Sequence, residues 1–168
     1  TSGAEPIPGV VNIISSFPGS REGAGCTGTI VSDNTVVTAG HCIPGQGAKM
    51  CIVSGIYKNV KCSTAITVHD DFRSGNYIYD LAMGIFDKGT FKHIFPMETS
   101  ELLQVPIPVL MVGFSELFPT AVPQDYSGAR WGSNTVTSLE KEIGFVSRLG
   151  NSSDAVSISL GDSGGPLF

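Results

Sequence analysis

Gly161-Asp162-Ser163-Gly164-Gly165-Pro166 sets a serine inside a segment built for a tight, exposed turn. Glycine reaches positive φ without a steric penalty, so Gly161, Gly164 and Gly165 let the chain fold back sharply around Ser163. Such a turn presents a hydroxyl and aims backbone N–H groups at one point in space. Acyl transfer needs that pairing, an attacking oxygen beside donors for the developing oxyanion. A serine hydroxyl is a weak nucleophile until a base activates it. The candidate base is His41, in Val36-Val37-Thr38-Ala39-Gly40-His41-Cys42. The apolar, β-branched run ahead of it reads as a buried strand that ends at His41. A third group must hold the imidazole in one tautomer. Asp80 is the candidate, in Tyr79-Asp80-Leu81-Ala82-Met83-Gly84-Ile85-Phe86. An acid at the edge of an apolar run is costly to bury unless it is hydrogen-bonded.

Together these blocks resemble the trypsin/chymotrypsin-like serine proteases. Cys26 through His41-Cys42 looks like the family's histidine block, Asp80-Leu81-Ala82 like its aspartate block, and Gly161 through Leu167 like its serine block. The chain order His, Asp, Ser is that of chymotrypsin and differs from those of subtilisin and the α/β-hydrolases. The likeness spans residues 26–168.

The resemblance implies an all-β fold of two antiparallel six-stranded β-barrels of the chymotrypsin type, the second incomplete in this chain. Residues 1–95 would form the N-terminal barrel, with His41 and Asp80. Residues 96–168 would form a linker and a partial C-terminal barrel with Ser163, and the crossing segment would run from Phe95 through Pro108. The implied activity is that of a serine endopeptidase working through an acyl-enzyme. Ser163 attacks, His41 moves the proton and Asp80 orients His41, while the N–H groups of Gly161 and Ser163 hold the oxyanion. The family's pocket-floor position falls on Ser157, six residues before Ser163. A neutral floor disfavours Arg or Lys before the cut and favours a large apolar or aromatic residue. An indel would put Asp154 there instead. Ser159 stands where the family usually has a cysteine.

Composition is compatible with this reading. Charged residues make up only 15% of 168 residues and there are 21 glycines, as in a compact, turn-rich chain. A net charge of −5 argues against a nucleic-acid partner, which calls for a basic face. No apolar stretch approaches the roughly 18 residues of a membrane span. Residues 49–62, where the family's calcium loop would lie, contain no Asp or Glu, so no metal and no cofactor is expected.

The four cysteines are Cys26, Cys42, Cys51 and Cys62. An even count without CxxC spacing favours disulfides and a secreted or otherwise extracytoplasmic setting over a zinc site. The resemblance pairs Cys26 with Cys42, which leaves Cys51 and Cys62 as a second pair or as two buried thiols. Short β-branched runs recur along the chain at 10–14, 29–31, 35–38, 49–53, 65–68, 81–86, 109–114, 135–139 and 143–147, a spacing of sandwich or barrel type. Helical candidates are confined to residues 100–104 and 138–142. His69 and His93 belong to no motif and read as ordinary loop residues. Trp131 reads as packing. Asn151-Ser152-Ser153 fits the glycosylation pattern.

Two departures bear on activity. The family's last strands and terminal helix would lie beyond Phe168, so a C-terminal fragment completing the fold is an expected partner besides a protein or peptide substrate. The family's zymogens are activated by freeing an Ile or Val whose amino group pairs with the aspartate before the nucleophile, here Asp162, whereas this chain starts Thr1-Ser2-Gly3. The alternative to the endopeptidase is therefore a truncated or inactive protease-like module that binds a protein partner.

Overall fold

The computed structural model describes residues 7–20, 23–53, 59–97, 104–114, 130–140, 143–146 and 161–168. β1 (Val10–Ser16) and β2 (Ala24–Ile30) form an antiparallel pair, with Ile13 opposite Cys26. β3 (Thr35–Thr38) returns along β2 and is joined through Ala39 to the 3₁₀ turn Gly40–Cys42, which carries His41. β4 (Lys49–Ile52) adds to the other side of β1, followed by the two-residue β5 (Lys61–Cys62). β6 (Ala65–Val68), the short helix α1 (Asp70–Arg73), a 3₁₀ turn at Tyr77–Tyr79 and β7 (Ala82–Ile85) complete the first half. The sheet runs β5-β4-β1-β2-β3-β7-β6, all antiparallel, as a curled half-barrel.

The β-branched runs form strands because alternate side chains enter one core. Val11 and Ile13 of β1 meet Ile30, Val36, Met50, Ile52, Phe86 and Phe91, all at most 3% exposed. Burying each such side chain contributes on the order of 1.5–3 kcal/mol. Val10, next along β1, points the other way into a second cluster with Val112 and Phe114, against which Ile7, Phe95 and Leu110 pack. β1 is buried on both sides at Val10–Ile13 because it separates these two cores.

The second sheet is β10-β9-β8, built from β8 (Ile107–Gly113), β9 (Arg130–Glu140) and β10 (Ile143–Val146). The segment after Ser163 lies along the free side of β8. Leu110 and Phe168 exchange backbone hydrogen bonds at 2.7 and 2.9 Å, and Met111 faces Leu167. The described residues are nearly all-β, as expected, and the small second sheet fits a partial second barrel. The seventh strand of the first sheet arises because Lys61–Cys62 pairs with β4 before the chain turns into β6. Of the two helical candidates, residues 138–140 belong to β9, 100–103 and 141–142 lie outside the described residues, and Gln104 is not helical.

Candidate active site

β3 delivers His41. Thr35, Val36, Val37 and Thr38 pair with Ile85, Gly84, Met83 and Ala82 of β7, so the end of β3 lies beside the start of β7. His41 follows the first strand and Asp80 precedes the second. This register brings residues 39 positions apart into contact. Asp80 Oδ1 accepts the backbone N–H of His41 at 2.7 Å, and Asp80 Oδ2 meets His41 Nδ1 at 2.6 Å. The carboxylate therefore fixes both the main chain and the ring. With Nδ1–H donating to Asp80, Nε2 is left as an acceptor, the tautomer a general base requires. The His41 side chain is 50% exposed and that of Asp80 30%.

The serine loop docks on the first half-barrel. Thr27 N–H donates to Ser163 O at 2.9 Å, and Thr27 Oγ1 donates to Gly161 O at 2.7 Å. The same hydroxyl accepts the N–H of Phe114 at 2.9 Å, so one fully buried threonine ties β2, the end of β8 and the serine loop together. Thr27 lies in the histidine block, yet no local signal separates it from any other strand threonine.

Gly165 N–H donates to Asp162 O at 2.9 Å, and Gly164 has φ +79°, the combination of a type II turn with Ser163 as its second residue. Two demands meet at Gly164. An L side chain rarely takes that φ, and a Cβ would collide with Thr38 Oγ1, Thr27 O and Ala39 N. Behind the turn, the Asp162 carboxylate lies against Gly113 of β8, where a Cβ would strike Oδ1. Among the described residues, the N–H groups of Gly161 and Ser163 have no acceptor.

Cys26 and Cys42 form a disulfide, as do Cys51 and Cys62. The sulfurs of Cys26 and Cys42 and a ring nitrogen of His41 lie within 4.8 Å of one another. Bonded to each other, these sulfurs offer no thiolate to a metal. The Cys42 sulfur is 3.8 Å from Ser163 O, a packing contact because a disulfide sulfur carries no proton. The disulfide thus lies between the histidine turn and the serine loop. The second bridge joins facing residues of β4 and β5.

Ser157, the alternative floor residue Asp154 and the Asn151 motif lie outside the described residues, as does Thr1. Trp131 stands opposite Val112 on β9 and is 38% exposed. His93 is an exposed loop residue. His69 has a more specific place. It begins the segment that ends at Asp80, caps α1 and stacks on Tyr79.

The trypsin family model matches residues 2–168. A search of curated proteins finds no match. Among solved structures, the chain is similar to a serine endoprotease from Yersinia pestis, at 19% identity and a TM-score of 0.64, covering 97% of this chain and 50% of that one. It is also similar to HL collagenase, at 19% identity and TM-score 0.69, over 95% of this chain and 75% of that one. A thermostable serine protease, AL20, from an extremophilic microorganism gives 20% identity and TM-score 0.69, over 96% and 78%. The chain thus spans half the length of the Yersinia protein. These likenesses carry the fold, and the match over residues 2–168 carries the assignment: the chain belongs to the trypsin family, the trypsin/chymotrypsin-like serine proteases.

Proposed function

We propose that this chain carries the catalytic residues of a serine endopeptidase that hydrolyses protein or peptide substrates. The observation that carries this reading is the two-point hold of Asp80 on His41, at 2.7 and 2.6 Å, beside a serine loop docked on Thr27 and Cys42. Ser163 Oγ attacks the scissile carbonyl and His41 Nε2 takes its proton. The tetrahedral intermediate places its oxyanion on the N–H groups of Gly161 and Ser163. It collapses when His41 protonates the leaving amine, which leaves an ester on Ser163. Water attacks that ester by the same route in reverse. Asp80 keeps its contact with Nδ1 and steadies the imidazolium.

The remaining assignments follow from this reading. Ser157 forms the floor of the pocket for the residue before the cut, with an apolar or aromatic preference. The division between the halves falls at residues 95 and 96, between β7, which ends at Ile85, and β8, which begins at Ile107. The two disulfides suit a secreted or extracytoplasmic protein.

The test is intact-mass spectrometry after incubation with a fluorophosphonate, with Ser163→Ala as control. One adduct on the native chain and none on the variant is the expected result. An unmodified native chain, or an adduct that survives the substitution, overturns the reading.

A further inference from the structure

We propose that His69 is a positioning residue for Asp80, holding the two residues that flank it; this rests on the catalytic reading of Asp80 given above. Asp80 sits at φ −70° and ψ 68°, and Leu81 N–H donates to Tyr79 O at 2.7 Å. Those values are those of an inverse γ-turn with Asp80 at its centre. A single three-residue hydrogen bond is a weak device for holding a carboxylate that must deliver two oxygens to two points of His41. The extra hold comes from His69. Its backbone N–H donates to Leu81 O at 2.9 Å, which closes the neck of the 69–81 loop. Its ring stacks on Tyr79, with centroids 4.7 Å apart and planes 10° from parallel. One residue therefore grips Asp80 from both sides.

The ring of His69 is itself fixed. Nδ1 accepts the backbone N–H of Asp71 at 3.3 Å, which sets the imidazole against the first turn of α1. Within the loop, Asn76 Oδ1 accepts the N–H of Ile78, and Tyr79 N–H donates to Asn76 O. Phe72 packs where a side chain on Gly40 would stand, at 2.8 Å from that Cβ position, so the loop also rests on the residue before His41. The path from His69 to the Asp80–His41 pair is one of direct contacts: His69 ring, Tyr79 ring, γ-turn, carboxylate. An error of about 1 Å in such a group costs up to roughly 100-fold in rate.

Three substitutions separate the parts of this hold, and all keep the backbone bond at the neck. His69→Ala removes the ring and the acceptor, His69→Asn keeps an acceptor and removes the stacking ring, and His69→Phe keeps a ring and removes the acceptor. The first readout is the downfield proton resonance of His41 Nδ1–H, which reports the bond to Asp80 without any need for turnover. The second is the division between kcat and KM on a small ester. We expect the resonance to broaden or vanish and kcat to fall roughly tenfold at unchanged KM in His69→Ala and His69→Asn. His69→Phe should restore both. An unaltered resonance and kcat in His69→Ala would overturn the proposal. So would a His69→Phe variant as impaired as His69→Ala, because the ring would then do nothing for Asp80. A native chain that shows the resonance but neither turns over nor labels at Ser163 refutes the proposed function instead, and the resonance still decides the role of His69.

Discussion

Asp80 holds His41 with two different oxygens: Oδ1 takes the backbone N–H at 2.7 Å and Oδ2 the ring Nδ1 at 2.6 Å. An ionised carboxylate can do this because both oxygens accept. An amide cannot, since its nitrogen only donates. In Asp80→Asn one of the two contacts must break, or Nδ1 must become the acceptor and carry the ring proton to Nε2. That is the wrong tautomer for the proton transfer from Ser163 proposed above. The expected loss in kcat is about 10⁴-fold. Ester hydrolysis by the folded variant checks it, and a loss below tenfold would show that Asp80 does not set the tautomer.

Thr27 serves the serine loop and β8 with one hydroxyl, donating to Gly161 O and accepting from Phe114 N–H. Thr27→Val keeps the shape and leaves both backbone groups without this partner. Each such group left unpaired in the interior costs about 1–3 kcal/mol. Because Gly161 is also a proposed oxyanion donor, phosphonylation of Ser163 should slow in the same variant, and Thr27→Ser should recover both losses. Urea denaturation and labelling rate measure them separately. A Thr27→Val variant as stable and as quickly labelled as the native chain would remove Thr27 from this role.

The contrast between Thr27 and His41 shows what the sequence could and could not reveal. His41, Asp80 and Ser163 could be named as candidates because each sits in a block whose neighbours are also constrained, and the contact of His41 with Asp80 agrees with that reading. Most strands were legible because Val, Ile and Thr cluster where a half-buried strand wants them, as at Thr35–Thr38 and Ala65–Val68. The start of β2 was not, because Ala24 and Gly25 carry no β-branched signal and owe their strand conformation to pairing with Ser15 and Ile14. α1 and the two 3₁₀ turns are too short to show periodicity. The docking of the serine loop joins Thr27 to Gly161 across 134 positions, a contact that no local pattern encodes. The same holds for His69, whose importance lies in what it touches.

The two disulfides should separate stability from activity. Cys51 and Cys62 face each other on β4 and β5, with Cys62 exposed, 11 positions apart in the chain. Replacing both by Ser should cost about 2–4 kcal/mol and leave the labelling rate of Ser163 unchanged. Cys26 and Cys42 are buried, 16 positions apart, and pack between His41 and the serine loop. Replacing that pair should cost about 3 kcal/mol in the chain-entropy model and also slow labelling. Equal effects on labelling from both double variants would contradict the placement of the first bridge at the site.

Gly113 offers the sharpest test of how the serine turn is supported from behind. Its Cα approaches the Asp162 carboxylate so closely that a Cβ would strike Oδ1 and lie 2.9 Å from Cγ. Gly113 has no positive φ, so alanine suits its backbone and the clash is the whole perturbation. β8 is pinned by its pairing with β9, from Ile107 opposite Val136 to Gly113 opposite Arg130. Asp162 is therefore the partner that gives way, and it is bonded directly to Ser163. Gly113→Ala should slow phosphonylation roughly 100-fold, the scale of an error of about 1 Å at a reacting group. Gly164→Ala differs in kind. It forces a left-handed φ that costs roughly 1–2 kcal/mol and adds a clash with Thr38, so it should lower the denaturation midpoint as well. If Gly113→Ala labels at the native rate, the contact with Asp162 does not govern where Ser163 stands.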